Sequence, residues 1–412
     1  MQRNRVQVTS TQELRELPEN SVHHVTLKEG LRTLPDALLR HRKSIEFLDL
    51  SGNELSELPN WLAELQRLRV LFASYNLFTS FPTALRSVSS LTMVGMRNNQ
   101  IEIISDNAFP RDLRWLTLTN NRLRELPTSI GELASLQKLL LAGNELSTLP
   151  ESITACQRLE LLRLSANAFS EIPTPIFKLE SLAWIALGGN PWLPLPSQIS
   201  RQVSGPSSKR ETIDWRALSI QEELGRGASG ITYRALQSTG DKLREVAVKV
   251  FTSPVSSDGS ARDEIEGALA IGKHPSLLTP HAEFTNHPDG KMGLVYPLLD
   301  KSFTPLAAPP TFETISRDDY SRQNRITTEQ ARLYRTALQS AVAHLNQQKI
   351  LHGDLYGHNT LINDSSAMLS DFGASFFYGH LKEAEQEALQ TIEARALATI
   401  LAEITHLSRA TN

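Results

Sequence analysis

Apolar residues stand three and five places before a recurring asparagine along much of the first half of the chain. In LRWLTLTNNRLRELP (residues 113–127), Leu116 and Leu118 lie two apart, so both face one side of an extended segment. Asn121 then turns the chain, since its short amide can bond backbone that has left the strand. Leu123, Leu126 and Pro127 return along the far side. The asparagine recurs at positions 53, 76, 99, 121, 144, 167 and 190, at intervals of 23, 23, 22, 23, 23 and 23. Its apolar companions run from Leu48 and Leu50 to Ile185 and Leu187, and residues 22–35 read as a degenerate earlier unit with Gly30 near the asparagine position. A helical bundle would need apolar spacing near 3.6, and Pro59, Pro82, Pro127, Pro150 and Pro173 would break its helices. One unit cannot bury its own leucines, so the period predicts stacked units sharing a core behind a curved parallel sheet.

The repeated words NELSELP, NRLRELP and NELSTLP give the chain a resemblance to the leucine-rich repeat family, in its cytosolic 23-residue type. That resemblance implies a solenoid that recognises a protein substrate or partner on its concave face. Six places before each asparagine stand Phe47, Val70, Met93, Trp115, Lys138, Leu161 and Trp184, six of the seven apolar. Such a column is either a partner surface or a face that packs on the chain's own second domain.

The repeats end in LGGNPWLPLPSQISRQVSGPSSKRETIDW (187–215), where proline and then serine, glycine and lysine crowd together. The expected organisation is a repeat domain over 1–190, with Pro191 and Trp192 capping it, a linker over 191–214 and a second domain over 215–412. In the second domain, IQEELGRGASGITYRAL (220–236) carries Gly225, Gly227 and Gly230 in G-x-G-x-x-G spacing. A dinucleotide site uses the same spacing but continues into a helix, whereas ITYRA is β-prone. EVAVKV follows with Lys249, then HGDLYGHN with Asp354 and Asn359 five apart, then Asp371-Phe372-Gly373.

These four motifs, in this order, resemble the protein-kinase family, and the whole is similar to a bacterial-type leucine-rich repeat protein kinase. The implied fold class is α/β multi-domain: a leucine-rich repeat solenoid followed by a two-lobed, protein-kinase-like α+β domain. The implied activity is transfer of the γ-phosphate of ATP, with Mg²⁺, to serine or threonine of a protein selected by the repeats. By the same resemblance Leu224, Gly225, Gly227 and Gly230 cover the nucleotide, and Lys249 meets its α- and β-phosphates and pairs with a helix carboxylate. Glu264 is the expected partner, with Glu266 as the competing choice. Asn359 and Asp371 would ligate Mg²⁺, Asp354 would accept the proton of the attacking hydroxyl, and Tyr296 with residues 297–299 would line the adenine pocket.

Departures from the family pattern alter this picture. Gly353 stands where most protein kinases carry an arginine, which removes the socket for a phosphorylated activation loop. Tyr356 replaces a lysine that helps hold the γ-phosphate, so transfer is slowed unless Lys301 or another cation substitutes. No A-P-E motif follows Asp371, and IEARALATILAEI (392–404) places Glu393 where an aspartate is usual. A pseudokinase scaffold and a small-molecule phosphotransferase, which shares the H-G-D start, are therefore the alternatives. Residues 326–354 predict a helix begun by Thr327 and Gln330, with Ala331, Tyr334, Leu338, Ala341 and Leu345 on one apolar stripe.

Composition adds exclusions. The 412 residues carry 42 basic and 45 acidic side chains, a balance that gives no reason to expect a nucleic-acid partner. Cys156 is the single cysteine, so no internal disulfide framework exists and a reducing compartment is expected. No secretory leader is visible and no run of about eighteen apolar residues could span a bilayer. The expectation is a soluble cytoplasmic protein without membrane contact.

Overall fold

The structure, a computed structural model, describes residues 6–193, 211–227, 229–253, 259–321, 323 and 325–409. By compactness the chain divides into two units, residues 1–162 with 167–182, and residues 163–166 with 183–412. The expected boundary at residue 190 differs: Arg163 and the strand around Ile185 are held by bonds to the second unit's own backbone.

In the repeats each strand is three residues long or slightly more. They are β1 (Val6–Val8), β2 (Val22–Thr26), β3 (Phe47–Asp49), β4 (Val70–Phe72), β5 (Met93–Gly95), β6 (Trp115–Thr117), β7 (Lys138–Leu140), β8 (Leu161–Arg163) and β9 (Trp184–Ala186). They follow chain order in one sheet. Leu48, Leu71, Val94, Leu116 and Leu139 are all but fully buried, as the alternation requires. The prolines begin the return path: Pro59, Pro82, Pro127, Pro150 and Pro173 each precede a one-turn 3-10 segment, where a missing N–H costs nothing.

The asparagine closes both its own strand and the repeat before it. Asn144 Nδ2 donates to Leu141 O at 2.9 Å and to Leu118 O at 3.0 Å, and its Oδ1 accepts from Leu123 N at 3.1 Å. Asn76, Asn99 and Asn121 do the same one repeat apart. These bonds satisfy backbone groups that a three-residue strand leaves buried, which fixes the period.

In the second unit, a six-stranded sheet runs β10 (Thr212–Asp214), β14 (Ala282–Thr285), β15 (Gly293–Pro297), β13 (Lys242–Phe251), β12 (Gly230–Thr239), β11 (Leu218–Arg226). Of the stretch read as a linker, residues 194–210 lie outside the described residues, and β10 occupies its last three positions. It pairs in parallel with β14 because Ile213 buries itself beside Phe284. After the first helix of the chain, α1 (Thr11–Glu16) in the repeats, one helix of this part is α2 (Ala261–Ala270), opened by the Ser260 cap. After β16 (Thr304–Pro305) comes α3 (Thr328–Gln347), with both capping-box bonds between Thr327 and Gln330 and the expected stripe buried. The catalytic-loop candidate sits between β17 (Ile350–Leu351) and β18 (Thr360–Asn363), followed by β19 (Ser366–Leu369), β20 (Phe376–Phe377) and α4 (Glu383–Arg409). No helix among the described residues is long and apolar enough to cross a membrane.

Candidate active site

Lys249 lies on β13, whose alternation turns the side chain off the buried line of Val246, Val248 and Val250. Its ammonium pairs with Glu264, and Asp371 Oδ1 lies 3.6 Å away. Burial alone would depress the ammonium, but the Asp371 and Glu264 charges outweigh it and hold the lysine above its ordinary range. Lys249 in turn keeps Asp371 ionised below the usual carboxylate range. The competing Glu266 instead meets Arg262, at 3.1 Å, on the same helix.

A second cluster forms on the 352–359 loop. Asn359 Nδ2 donates to Asp354 Oδ2 at 2.8 Å and to Asp354 O at 3.1 Å. Asn359 O accepts from Ser370 N at 2.8 Å, beside Asp371, and His352 Nε2 sits 3.2 Å from Ser370 O. The loop and the Asp371 turn are thus tied by backbone. Burial depresses His352 to about 4, so a neutral ring fills this place. Glu393 on α4 accepts from His352 N at 2.5 Å, and its own burial raises it to about 7.

The glycines differ in what they do. A Cβ at Gly230 would sit 2.4 Å from Val250 O, so close strand pairing requires glycine there. Nothing approaches a Cβ at Gly225 or Gly227, and Gly227 N is already spent on Gly230 O at 2.9 Å. Leu224 is half exposed on the same ribbon. Tyr296 is part-buried on β15 opposite Ala247, and burial raises its hydroxyl above the usual range.

Both departures in the loop acquire a reason. Gly353 adopts φ +75°, and a Cβ there would lie 2.3 Å from Ile185 O and 2.9 Å from Ala374 O. Gly353 O accepts from Ile185 N at 3.0 Å. The Tyr356 ring stacks on Trp184 at 4.4 Å with an interplanar angle of 9°, and its hydroxyl donates to Ser316 O. The Trp184 indole N–H donates to Leu355 O at 2.9 Å. Trp184, whose column the sequence left either as a partner surface or as packing on the second domain, is covered within its own unit. Trp192, expected to cap the last repeat, packs against Phe376 and His380.

The residue that sequence reasoning missed is Arg163. Its guanidinium pairs with the Asp354 carboxylate and reaches Gly353 O at 3.3 Å. The available signal was its place two residues after Leu161, on the outward face of a strand, where the other repeats carry Asp49, Phe72, Gly95, Thr117, Leu140 and Ala186. A second missed contact is Asp318, buried and 2.6 Å from His358 Nδ1.

Asp371 and Asn359 suit a magnesium ion. Asn359 spends Nδ2 on Asp354, which leaves Oδ1 as a hard oxygen, and the Asp371 side chain is 48% exposed and ionised. No group of three or more His, Cys, Asp or Glu among the described residues could hold a metal. Such an ion would share these two side chains with phosphate oxygens and water, the usual mode for Mg²⁺.

The family model described as protein kinase domain matches residues 218–395, and leucine-rich repeat models match 110–199 and 44–65. A probable serine/threonine-protein kinase of Arabidopsis thaliana is 23% identical over 166 residues, 39% of this chain and 21% of that protein. Mouse leucine-rich repeat and calponin homology domain-containing protein 1 is 32% identical over 91 residues, 22% of this chain and 13% of that protein. The chain thus spans a small part of these relatives. A solved Leptospira interrogans leucine-rich repeat protein aligns with TM-score 0.39 and 23% identity, over 48% of this chain and 58% of that one. Family models thus find leucine-rich repeats followed by a protein kinase domain along this chain.

Proposed function

We propose that this chain is an ATP-dependent protein kinase that phosphorylates serine or threonine on a protein chosen by its repeats. The carrying observation is the joint presence of the Lys249–Glu264 pair with Asp371 beside it and the Asp354–Asn359 bond, tied through Ser370. Phosphoryl transfer needs positioning and charge neutralisation more than covalent chemistry, and this set is built for both. Mg·ATP would supply the phosphoryl group and a shield for its charge. Lys249 would hold phosphate oxygens, Asn359 and Asp371 would ligate the ion, and Asp354 would orient the acceptor hydroxyl and take its proton. Leu224 and the glycine ribbon would cover the nucleotide. The repeats would select the substrate through the outward column of β3 to β7.

Phosphate transfer from labelled ATP to the chain itself or to casein tests this reading. Wild type should label its acceptor on serine or threonine by phosphoamino-acid analysis, and Asp354→Asn should not. Equal labelling of the two would remove the catalytic assignment. Mg·ATP should also raise the melting temperature of wild type but not of Asp371→Ala; a scaffold that binds nucleotide without transfer would show only the second effect.

A further inference from the structure

Three successive loop residues around the proposed base are held by residues of β8 and β9, all inside one compact unit. Gly353 O accepts from Ile185 N and from Arg163, the Asp354 carboxylate pairs with Arg163, and Leu355 O accepts from the Trp184 indole. Arg163 is 3% exposed, and a guanidinium so deeply buried is tolerable only beside a counter-charge with good hydrogen-bond geometry. Asp354 Oδ1 faces Arg163 while Oδ2 accepts from Asn359. Each oxygen thus has a fixed donor and the plane of the carboxylate is set, with further lone pairs left for a hydroxyl.

Neither of the two departing loop positions brings a cation to this place. Position 353 is a glycine that must stay small beneath Ile185 O, and position 356 is a tyrosine stacked on Trp184. We infer that Arg163, carried by a repeat strand, is a positioning residue for phosphoryl transfer, supplying the fixed positive charge that orients Asp354. This rests on the kinase reading above. Its consequence is that the enzyme unit extends back into the repeats, and that this contact supports the reaction instead of blocking it.

The test uses the full chain with ATP and casein. Arg163→Gln should lower kcat by roughly 10- to 100-fold, the range for loss of an outer-shell partner that orients a functional side chain. KM for ATP and the Mg·ATP rise in melting temperature should stay as in wild type, because Lys249 and Asp371 are untouched. A general loss of folding would move all three. Arg163→Lys keeps the charge but not the fork that reaches both Asp354 and Gly353 O, so its kcat should fall several-fold and lie between wild type and Gln. Should the Gln variant fail to fold, the Lys variant carries the test alone. Unchanged kcat in either folded variant overturns the inference, and increased kcat does so in favour of an inhibitory plug. A wild type that transfers no phosphate removes the kinase reading and this inference together, whereas an active wild type matched by Arg163→Gln removes only the inference.

Discussion

Gly353→Ala places one methyl group where the loop meets β9. The residue sits at φ +75°, a conformation that costs an L-residue about 1–2 kcal/mol. The new Cβ would also lie 2.3 Å from Ile185 O and 2.9 Å from Ala374 O, both backbone atoms that cannot swing aside. Overpacking of this kind adds about 1–3 kcal/mol. The expected loss is therefore about 2–5 kcal/mol, and at about 2–4 °C per kcal/mol for a unit of this size the melting temperature should fall by about 4–20 °C. Calorimetry of the full chain would measure it. Hydrogen exchange supplies the local readout: the Ile185 amide, bonded to Gly353 O at 3.0 Å, should lose protection, whereas amides of the asparagine ladder should not. A melting shift under about 1 °C with Ile185 still protected would refute the close-approach argument.

Asn144→Ala removes three buried hydrogen bonds, to Leu118 O, Leu141 O and Leu123 N, and should cost the repeats about 3 kcal/mol, read in a denaturant titration of the full chain. Two buried groups should offset each other in acid. Glu393, raised from 4.5 to about 7, is held neutral by the fold, so its stabilisation is complete below pH 4.5 and is lost as pH rises through 7. His352, lowered from 6.5 to about 4, stabilises above pH 6.5 and loses that contribution as pH falls through 4. Each shift spans about 2.5 units, or about 3 kcal/mol, so Glu393→Gln should make stability fall by about 3 kcal/mol more than wild type between pH 7 and 4. Parallel pH curves for the two chains would count against this pairing. Trp115→Asp should abolish capture of a protein partner while leaving circular dichroism and casein phosphorylation unchanged, and retained capture would count against the repeat column as the selecting face. Its ring lies 4.1 Å under the Lys138 ammonium, so the same change exchanges a cation–π contact for a salt bridge and need not unfold the strand.

What the sequence made legible follows from the range of the interactions involved. The repeats announce themselves because each asparagine bonds the turn of its own repeat and of its neighbour, which forces a constant period. The α3 helix is readable because its capping box and apolar stripe are local. Lys249, Glu264, Asp354, Asn359 and Asp371 are readable because their spacing follows strand, helix and turn geometry, and the structure brings all five into two linked clusters. The strand β10 was invisible: three residues behind a polar, proline-bearing stretch show no alternation worth reading, and their pairing partner begins at Ala282. The outward column proved mixed. Phe47 stacks on His24 and meets Phe72 edge-on, so part of that apolar character serves packing along the sheet itself.

The loop residues that depart most from the kinase pattern make sense only together. An arginine at 353 could not adopt φ +75° under Ile185 O without strain, and any side chain there would push β9 away. With β9 in place, a flat aromatic at 356 gains a stacking partner in Trp184 that a lysine would leave half satisfied, and burial then lifts its hydroxyl well above the ordinary range. Both substitutions thus remove a positive charge from beside Asp354 and add contact with the strand pair that delivers Arg163 to that carboxylate. A charge lost from a loop and regained from a strand more than 150 residues earlier leaves the local electrostatics similar while moving their control to another part of the chain. Read singly, Gly353 and Tyr356 look like decay of the family pattern; read with Arg163, Trp184 and Ile185, they are the residues that let a repeat strand pack on this loop.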